Sequence, residues 1–171
     1  MAILGAVSTR RTPEAPADSP TRRSRPRRSA SMPATAPTPA LAPEREASLA
    51  VEIVTFGFKY GLPHRADLVF DVRFLTNPFW VPDLQPLSGL SAPVRRYVLA
   101  QPQAAHFLDL VVQLLELTVP AYRATGRTRL TVALGCTGGY HRSIALAEEL
   151  ASRLGRLEDA SVSVVHRELR R

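Results

Sequence analysis

The sequence predicts an α/β fold, a small and mostly parallel sheet of about four strands flanked by helices, behind a disordered N-terminal tail. Three observations carry that prediction. Short β-branched runs alternate with stretches of helical periodicity, and consecutive strands separated by helices pair in parallel through right-handed crossovers. The clearest such run, Arg129-Leu-Thr-Val-Ala-Leu-Gly135, leads into a glycine pair and then into the clearest helical pattern. The first 44 residues hold eight of the fifteen prolines and almost no large apolar residue after Leu4, too little to offset their ordering entropy.

These compositions divide the chain into a Pro/Arg/Ala-rich tail, residues 1–46, and one domain, residues 47–171, near the commonest domain size. The charge divides with them. Of the net +7, residues 1–44 contribute +4, from seven arginines against Glu14, Asp18 and Glu44. The cluster Arg22, Arg23, Arg25, Arg27, Arg28 could touch nucleic acid through counterion release, or could simply be solvated. A single cysteine rules out an internal disulfide and fits a reducing cytoplasm. No run of about 18 apolar residues occurs, so no membrane span is expected. Arg10-Arg11 has no apolar segment after it, so export is not expected either.

Within the domain, Val51–Phe56 is β-branched and ended by Gly57, which reads as a strand. The loop Gly57-Phe-Lys-Tyr-Gly-Leu-Pro63 follows. Ala66–Val72 is a second strand, nearly continuous in its apolar character and so expected to be covered on both faces. Residues 73–92 carry prolines at 78, 82 and 86 that forbid regular pairing. A connection this long suits the wall of a site. Pro93–Leu99 suits a short helix with proline in its first turn. From Gln103 to about Ala124 the residues Phe107, Leu110, Val111, Leu114, Leu115, Leu117 and Val119 recur at spacings of three and four, which predicts a second helix that Pro120 should kink or end. Arg129–Gly135 is the third strand, Gly139–Leu154 the third helix, and Ser161–Val165 the last strand.

In open α/β sheets ligands sit beyond the carboxyl ends of strands, and Cys136–His141 occupies that place. The consecutive Gly138 and Gly139 let the backbone turn sharply with its N–H groups toward one hollow, and the following helix start adds partial positive charge. Arg142 can supply a forked pair of donors, and Thr137 and Ser143 add hydroxyls. Together these residues favour an oxyanion; singly, the glycines could be only a tight turn and Cys136 a small buried residue. The spacing C-x-x-G-x-x-R-S also matches the phosphate loop of protein tyrosine phosphatases, in which the thiolate attacks phosphorus. On that alternative Cys136 and Arg142 would be catalytic. Against it, Gly135 stands where that family usually has histidine, and only Asp71 and Asp83 offer a nearby proton donor.

Four segments, Phe56-Gly-Phe-Lys-Tyr-Gly61, Val69-Phe-Asp-Val-Arg-Phe-Leu75 with Asn77-Pro78, Pro86-Leu-Ser-Gly-Leu90 and Gly135-Cys-Thr-Gly-Gly-Tyr-His-Arg-Ser143, closely resemble the C-terminal domain of the RapZ/YvcJ family of RNase adapter proteins. The resemblance covers roughly Glu52 to Leu169. It implies a non-catalytic regulatory adapter that binds a sugar phosphate, glucosamine-6-phosphate in enterobacterial members, with small RNA or a regulatory protein as further candidate partners. Carried over, the phosphate falls on Cys136, Thr137, Gly138, Gly139, His141, Arg142 and Ser143, and Lys59 and Arg73 complete the positive pocket. For RNA, Arg167, Arg170 and Arg171 are the foremost candidates. The location implied is cytoplasmic, no cofactor or metal is expected, and a homo-oligomer is compatible. The sequence departs from the family pattern in two ways. Full-length members carry a P-loop domain with G-x-x-x-x-G-K-[ST], which is not found here, so nucleoside triphosphate binding is not inherited. Phe79 stands where enterobacterial members place histidine after Asn-Pro, which touches the amino-sugar specificity and leaves the phosphate cradle intact.

Overall fold

A computed structural model describes residues 48–158 and 160–170, with the side chain of Arg170 left aside. The expected tail, residues 1–46, lies outside the described residues, as does Arg171. Four strands, β1 (Leu49–Gly57), β2 (Leu68–Asp71), β3 (Arg129–Cys136) and β4 (Ala160–His166), alternate with helices α1 (Ala92–Leu99), α2 (Pro102–Ala124) and α3 (Arg142–Leu154). All strand pairs are parallel and the spatial order is β2-β3-β1-β4.

The register brings three strand ends together. Gly57 of β1 pairs with Cys136 of β3, and Asp71 of β2 pairs with the adjacent Gly135. Chain leaving any of these strands therefore enters the same space. The link from β1 to β2 contains no α-helix, and the register explains how ten residues suffice. β2 begins at Leu68, level with Val132, and Val132 is also level with Ile53. The connection thus returns only four residues down the sheet, roughly 13 Å at about 3.3 Å per residue.

Alternation along β1 and β3 sends Leu49, Val51, Ile53, Leu130, Val132, Leu134 and Cys136 into a core with buried residues of all three helices. The three helices also touch one another, and α3 lies against β1, β3 and β4, so they gather on one face of the sheet. Leu108 and Leu115 of α2 and Leu146 and Leu150 of α3 are fully buried, and truncating such a leucine to alanine costs about 2–5 kcal/mol. On the opposite face Phe56 packs edge-on against Phe58 with ring centroids 4.8 Å apart, and the Arg167 guanidinium lies over the Phe56 ring at 5.6 Å. Farther down that face are the ion pairs of Glu52 with Arg129 and Asp67 with Arg127.

Three expectations need correction. β2 is not covered on both faces: as the edge strand beside β3 it alternates in burial, and Val69 is 44% exposed. α2 runs through Pro120 to Ala124. Pro120 and Glu116 both lie on its exposed side, where the Glu116 carbonyl that loses its N–H partner can be solvated. α3 starts at Arg142, three residues later than Gly139, because Gly139 has φ +69° and His141 has φ −114°, ψ −82°, neither of them helical. α2 is also long and apolar enough on average to cross a membrane, although no unbroken apolar run of that length exists; its Ala104, Leu108, Val111, Leu115 and Val119 are buried in the core, while Leu110, Leu114 and Leu117 are exposed.

Candidate functional site

The loop from Thr137 to His141 joins the end of β3 to α3, beside the ends of β1 and β2. Its carbonyls are tied down by neighbouring chain: the Lys59 amide donates to Thr137 O at 3.3 Å, the Gly89 amide to Tyr140 O at 2.8 Å, and the Ala145 amide to His141 O at 3.0 Å. In a trans peptide unit the N–H points opposite to the C=O. Fixing the Thr137 and Tyr140 carbonyls therefore turns the amides of Gly138 and His141 the other way. The His141 amide is indeed directed at the sulfur of Cys136.

Gly139 is the pivot of this turn. Its φ of +69° is left-handed, and a Cβ there would lie 2.6 Å from Gly57 N and 2.8 Å from Phe56 C, so neither conformation nor space admits a side chain. Gly138 differs: a Cβ would meet only the Lys59 side chain, at 3.8 Å or beyond.

Arg142, the first residue of α3, is buried at 4% exposure. Its Nη1 donates to the carbonyls of Arg73 at 3.1 Å and Leu75 at 2.9 Å, and its Nη2 donates to the Thr137 hydroxyl at 3.2 Å. The remaining Nε is buried without a hydrogen-bond partner. The guanidinium thus braces the loop against the chain beyond β2.

Cys136 Sγ lies 3.3 Å from the Ser143 hydroxyl. Burial alone would raise the thiol pKa. The Ser143 hydroxyl, the amides of Ser143 and His141, and the charge of Arg142 outweigh it and hold the thiol below its ordinary value. His141 Nε2 faces the Gln85 carbonyl at 3.1 Å; a carbonyl only accepts, so this nitrogen carries a proton. Burial first, and then the Arg142 charge, depress the His141 pKa against the raising effect of that hydrogen bond.

Above the loop is a cavity of about 520 Å³. Cys136, Thr137, Gly138, His141 and Arg142 form its floor with Lys59, and Tyr60, Phe79, Trp80 and Tyr140 line it together with Asn77, Gln85 and Glu168. The family model of the RapZ C-terminal domain matches residues 49–170, nearly the whole described region. The chain belongs to the RapZ C-terminal domain family. It is 54% identical over 123 residues to a nucleotide-binding protein of Rhodococcus erythropolis, covering 72% of this chain and 41% of that protein. It is 53% identical over 121 residues to one from Corynebacterium efficiens, at 71% and 38% coverage, and 53% identical over 123 residues to one from Streptomyces coelicolor, at 72% and 41%. The chain therefore spans about two fifths of the length of these relatives.

Within this RapZ C-terminal domain, Lys59, Cys136, Thr137, Gly138, His141 and Arg142 line one cavity, whereas Gly139 and Ser143 shape it from behind. Arg73 does not line it. Its guanidinium grips the Asp71 carboxylate, with Nη2 at 2.6 Å and Nε at 2.9 Å, and lies over the Phe58 ring; only its backbone carbonyl serves the site. That pairing also holds the Asp71 carboxyl below its ordinary value. Arg167 donates to Glu168 Oε1 at 2.8 Å and to the Gly61 carbonyl at 2.7 Å; Arg170's side chain and Arg171 lie outside the described residues. Sequence reading missed Glu168, whose side chain is 3% exposed and whose Oε1 faces the Gly57 amide at 3.4 Å. It also missed the role of Gln85 as acceptor for His141, and the aromatic lining. The exposed Phe79-Trp80 pair in a proline-rich connection was the one available signal for that lining.

Proposed function

We propose that this domain is a non-catalytic module that binds a phosphorylated small molecule, with the phosphate seated on the Thr137–Arg142 loop and the rest of the ligand in the cavity above it. The observation that carries this reading is the fixing of the loop carbonyls by Lys59 and Gly89, which turns the Gly138 and His141 amides inward above a buried guanidinium. Inward amides, a cation and a helix start form an anion site. Lys59 adds a second positive charge to the lining, and Glu168, Asn77 and Gln85 provide polar groups suited to sugar hydroxyls or an amine. The ligand is therefore of the sugar-phosphate class, amino-sugar phosphates included. Its occupancy would regulate whatever longer protein or partner the domain serves.

A thermal-shift series with glucosamine-6-phosphate, ribose 5-phosphate and inorganic phosphate tests this, because a ligand that prefers the folded state raises the melting temperature. We expect saturable shifts that shrink in Lys59→Ala; a flat response across the series contradicts the reading.

One observation favours a second reading, cysteine-dependent phosphatase chemistry: the Cys136 thiol is held below its ordinary value by Ser143 and two loop amides. Against it, both Nη1 donors of Arg142 are engaged by protein carbonyls, and the nearby Asp71 is engaged by Arg73. Turnover of an aryl phosphate that vanishes in Cys136→Ser would establish this reading. A wild-type protein without turnover would end it. A role in RNA contact draws less support, since Arg167 is already committed to Glu168 and Gly61.

A further inference from the structure

The chain has eleven aromatic residues, six Phe, four Tyr and one Trp. All eleven lie within the described residues, and five of them are exposed by more than a third: Tyr60, Phe74, Phe79, Trp80 and Tyr140. Four of these five, all but Phe74, line the cavity over the Thr137–Arg142 loop. Phe74 instead leans on Phe107, 5.6 Å away. Trp80 is the most exposed of all at 77%, and Phe79 braces it edge-on with centroids 5.3 Å apart. Large apolar surface left in water has a cost, and its concentration around one cavity marks a ligand surface.

The rest of the cavity fixes the chemistry of that ligand. At its floor are the inward amides and Arg142, whose Nε is buried and unpartnered at a residue only 4% exposed. Lys59 stands beside Tyr60, its Nζ 4.6 Å from the ring centroid. The volume of about 520 Å³ exceeds what a phosphate alone would fill and sits within the range of roughly 300–1,000 Å³ typical of sites for larger ligands. An anion at one end and exposed flat rings at the other suit a molecule with a phosphate at one end and a planar ring at the other.

We infer that the ligand is a nucleoside 5′-monophosphate or a close relative, with its phosphate on the Thr137–Arg142 loop, its ribose facing Glu168, and its base stacked on the Phe79-Trp80 pair. The inference rests on the phosphate reading above and deepens it, since a nucleotide is a sugar phosphate with a base attached. Phe79 and Trp80 then select for the base. A ring stacked on an exposed tryptophan gains through its face whichever base it is, so the site should favour purines over pyrimidines by stacking area more than by hydrogen-bond pattern.

Trp80 is the only tryptophan, so its fluorescence reports this contact directly. The full chain is titrated with adenosine 5′-monophosphate, ribose 5-phosphate, inorganic phosphate and adenosine, with dissociation constants from calorimetry in parallel. The expected result is Trp80 quenching by adenosine 5′-monophosphate and binding roughly five- to 150-fold tighter than ribose 5-phosphate, the range typical of one stacked base. In Trp80→Ala and Phe79→Ala, both at exposed positions, the ratio of the two constants should fall toward one. If ribose 5-phosphate and inorganic phosphate bind but the nucleotide gains nothing and Trp80 stays unquenched, the nucleotide inference is overturned and the phosphate reading survives. If adenosine alone binds as well as its monophosphate, or if no phosphate compound binds, both are overturned.

Discussion

The Arg142 guanidinium donates from Nη2 to the hydroxyl of Thr137 at 3.2 Å, so the first residue of α3 closes the loop against the first residue after β3. The same group reaches the carbonyls of Arg73 and Leu75 through Nη1. One buried side chain therefore joins the two halves of the site. Removing it strands two carbonyls and a hydroxyl in a place water cannot freely reach.

Arg142→Ala should accordingly lower unfolding stability by about 2–5 kcal/mol, the usual range for stranding buried partners of a charged group. Arg142→Lys keeps the charge but not the planar fork and should recover only part of the loss. Urea denaturation of the three proteins checks this. Because Arg142 also braces the fold, binding is better tested through Lys59, which lines the cavity from a neighbouring loop.

The glycine pair divides into one structural and one tolerant position. Gly139→Ala should cost more than about 2 kcal/mol, since left-handed φ alone costs roughly 1–2 kcal/mol in a residue with a side chain and the added carbon would strike Gly57 and Phe56 backbone. Gly138→Ala should change stability by no more than about 1 kcal/mol, yet place a methyl at the cavity floor and weaken anion binding. The opposite order of stabilities would show that the turn pivots elsewhere.

Cys136 is the only cysteine, so its titration can be read without interference. The rate of alkylation should rise with pH about a midpoint below that of an ordinary thiol, and Ser143→Ala should move the midpoint up by removing the hydroxyl that favours the thiolate. Inorganic phosphate should slow the reaction. A midpoint at or above the ordinary thiol value would mean that burial prevails over the loop amides.

His141 links the site to pH. Its folded-state pKa lies below the unfolded value of about 6.5, so the unfolded chain binds the extra proton more readily. The stability it contributes is fully present above about pH 6.5 and is lost as pH falls through the depressed folded value. Wild type should therefore lose melting temperature faster than His141→Asn between pH 7.5 and 5. Parallel curves would indicate that the imidazole is not desolvated.

Much of this architecture could be read in the sequence, because the signals were local. β1, β3 and α3 were visible from β-branched runs and a four-residue apolar spacing, and the loop from two glycines placed after a strand. What escaped were relationships across the chain. Nothing near Arg142 announces that its fork is answered by carbonyls at 73 and 75, and Glu168 enters the site only because β4 pairs beside β1. Arg73 shows a local signal misread: in extended chain residues 71 and 73 share a face, so Asp71 was the natural partner of a guanidinium expected to serve the ligand. The one-sided helical layer was not legible either, since periodicity indicates which stripe of a helix is buried but not which face of the sheet it covers.

The most direct test of the central claim is an amide-resolved NMR titration of the full chain with inorganic phosphate. The account predicts saturable shifts concentrated at Gly138, Gly139, Tyr140, His141 and Arg142, with Lys59 following and the curve weakened in Lys59→Ala. Shifts confined to the basic groove around Arg65, Arg127 and Arg129, or none at all up to millimolar phosphate, would contradict it.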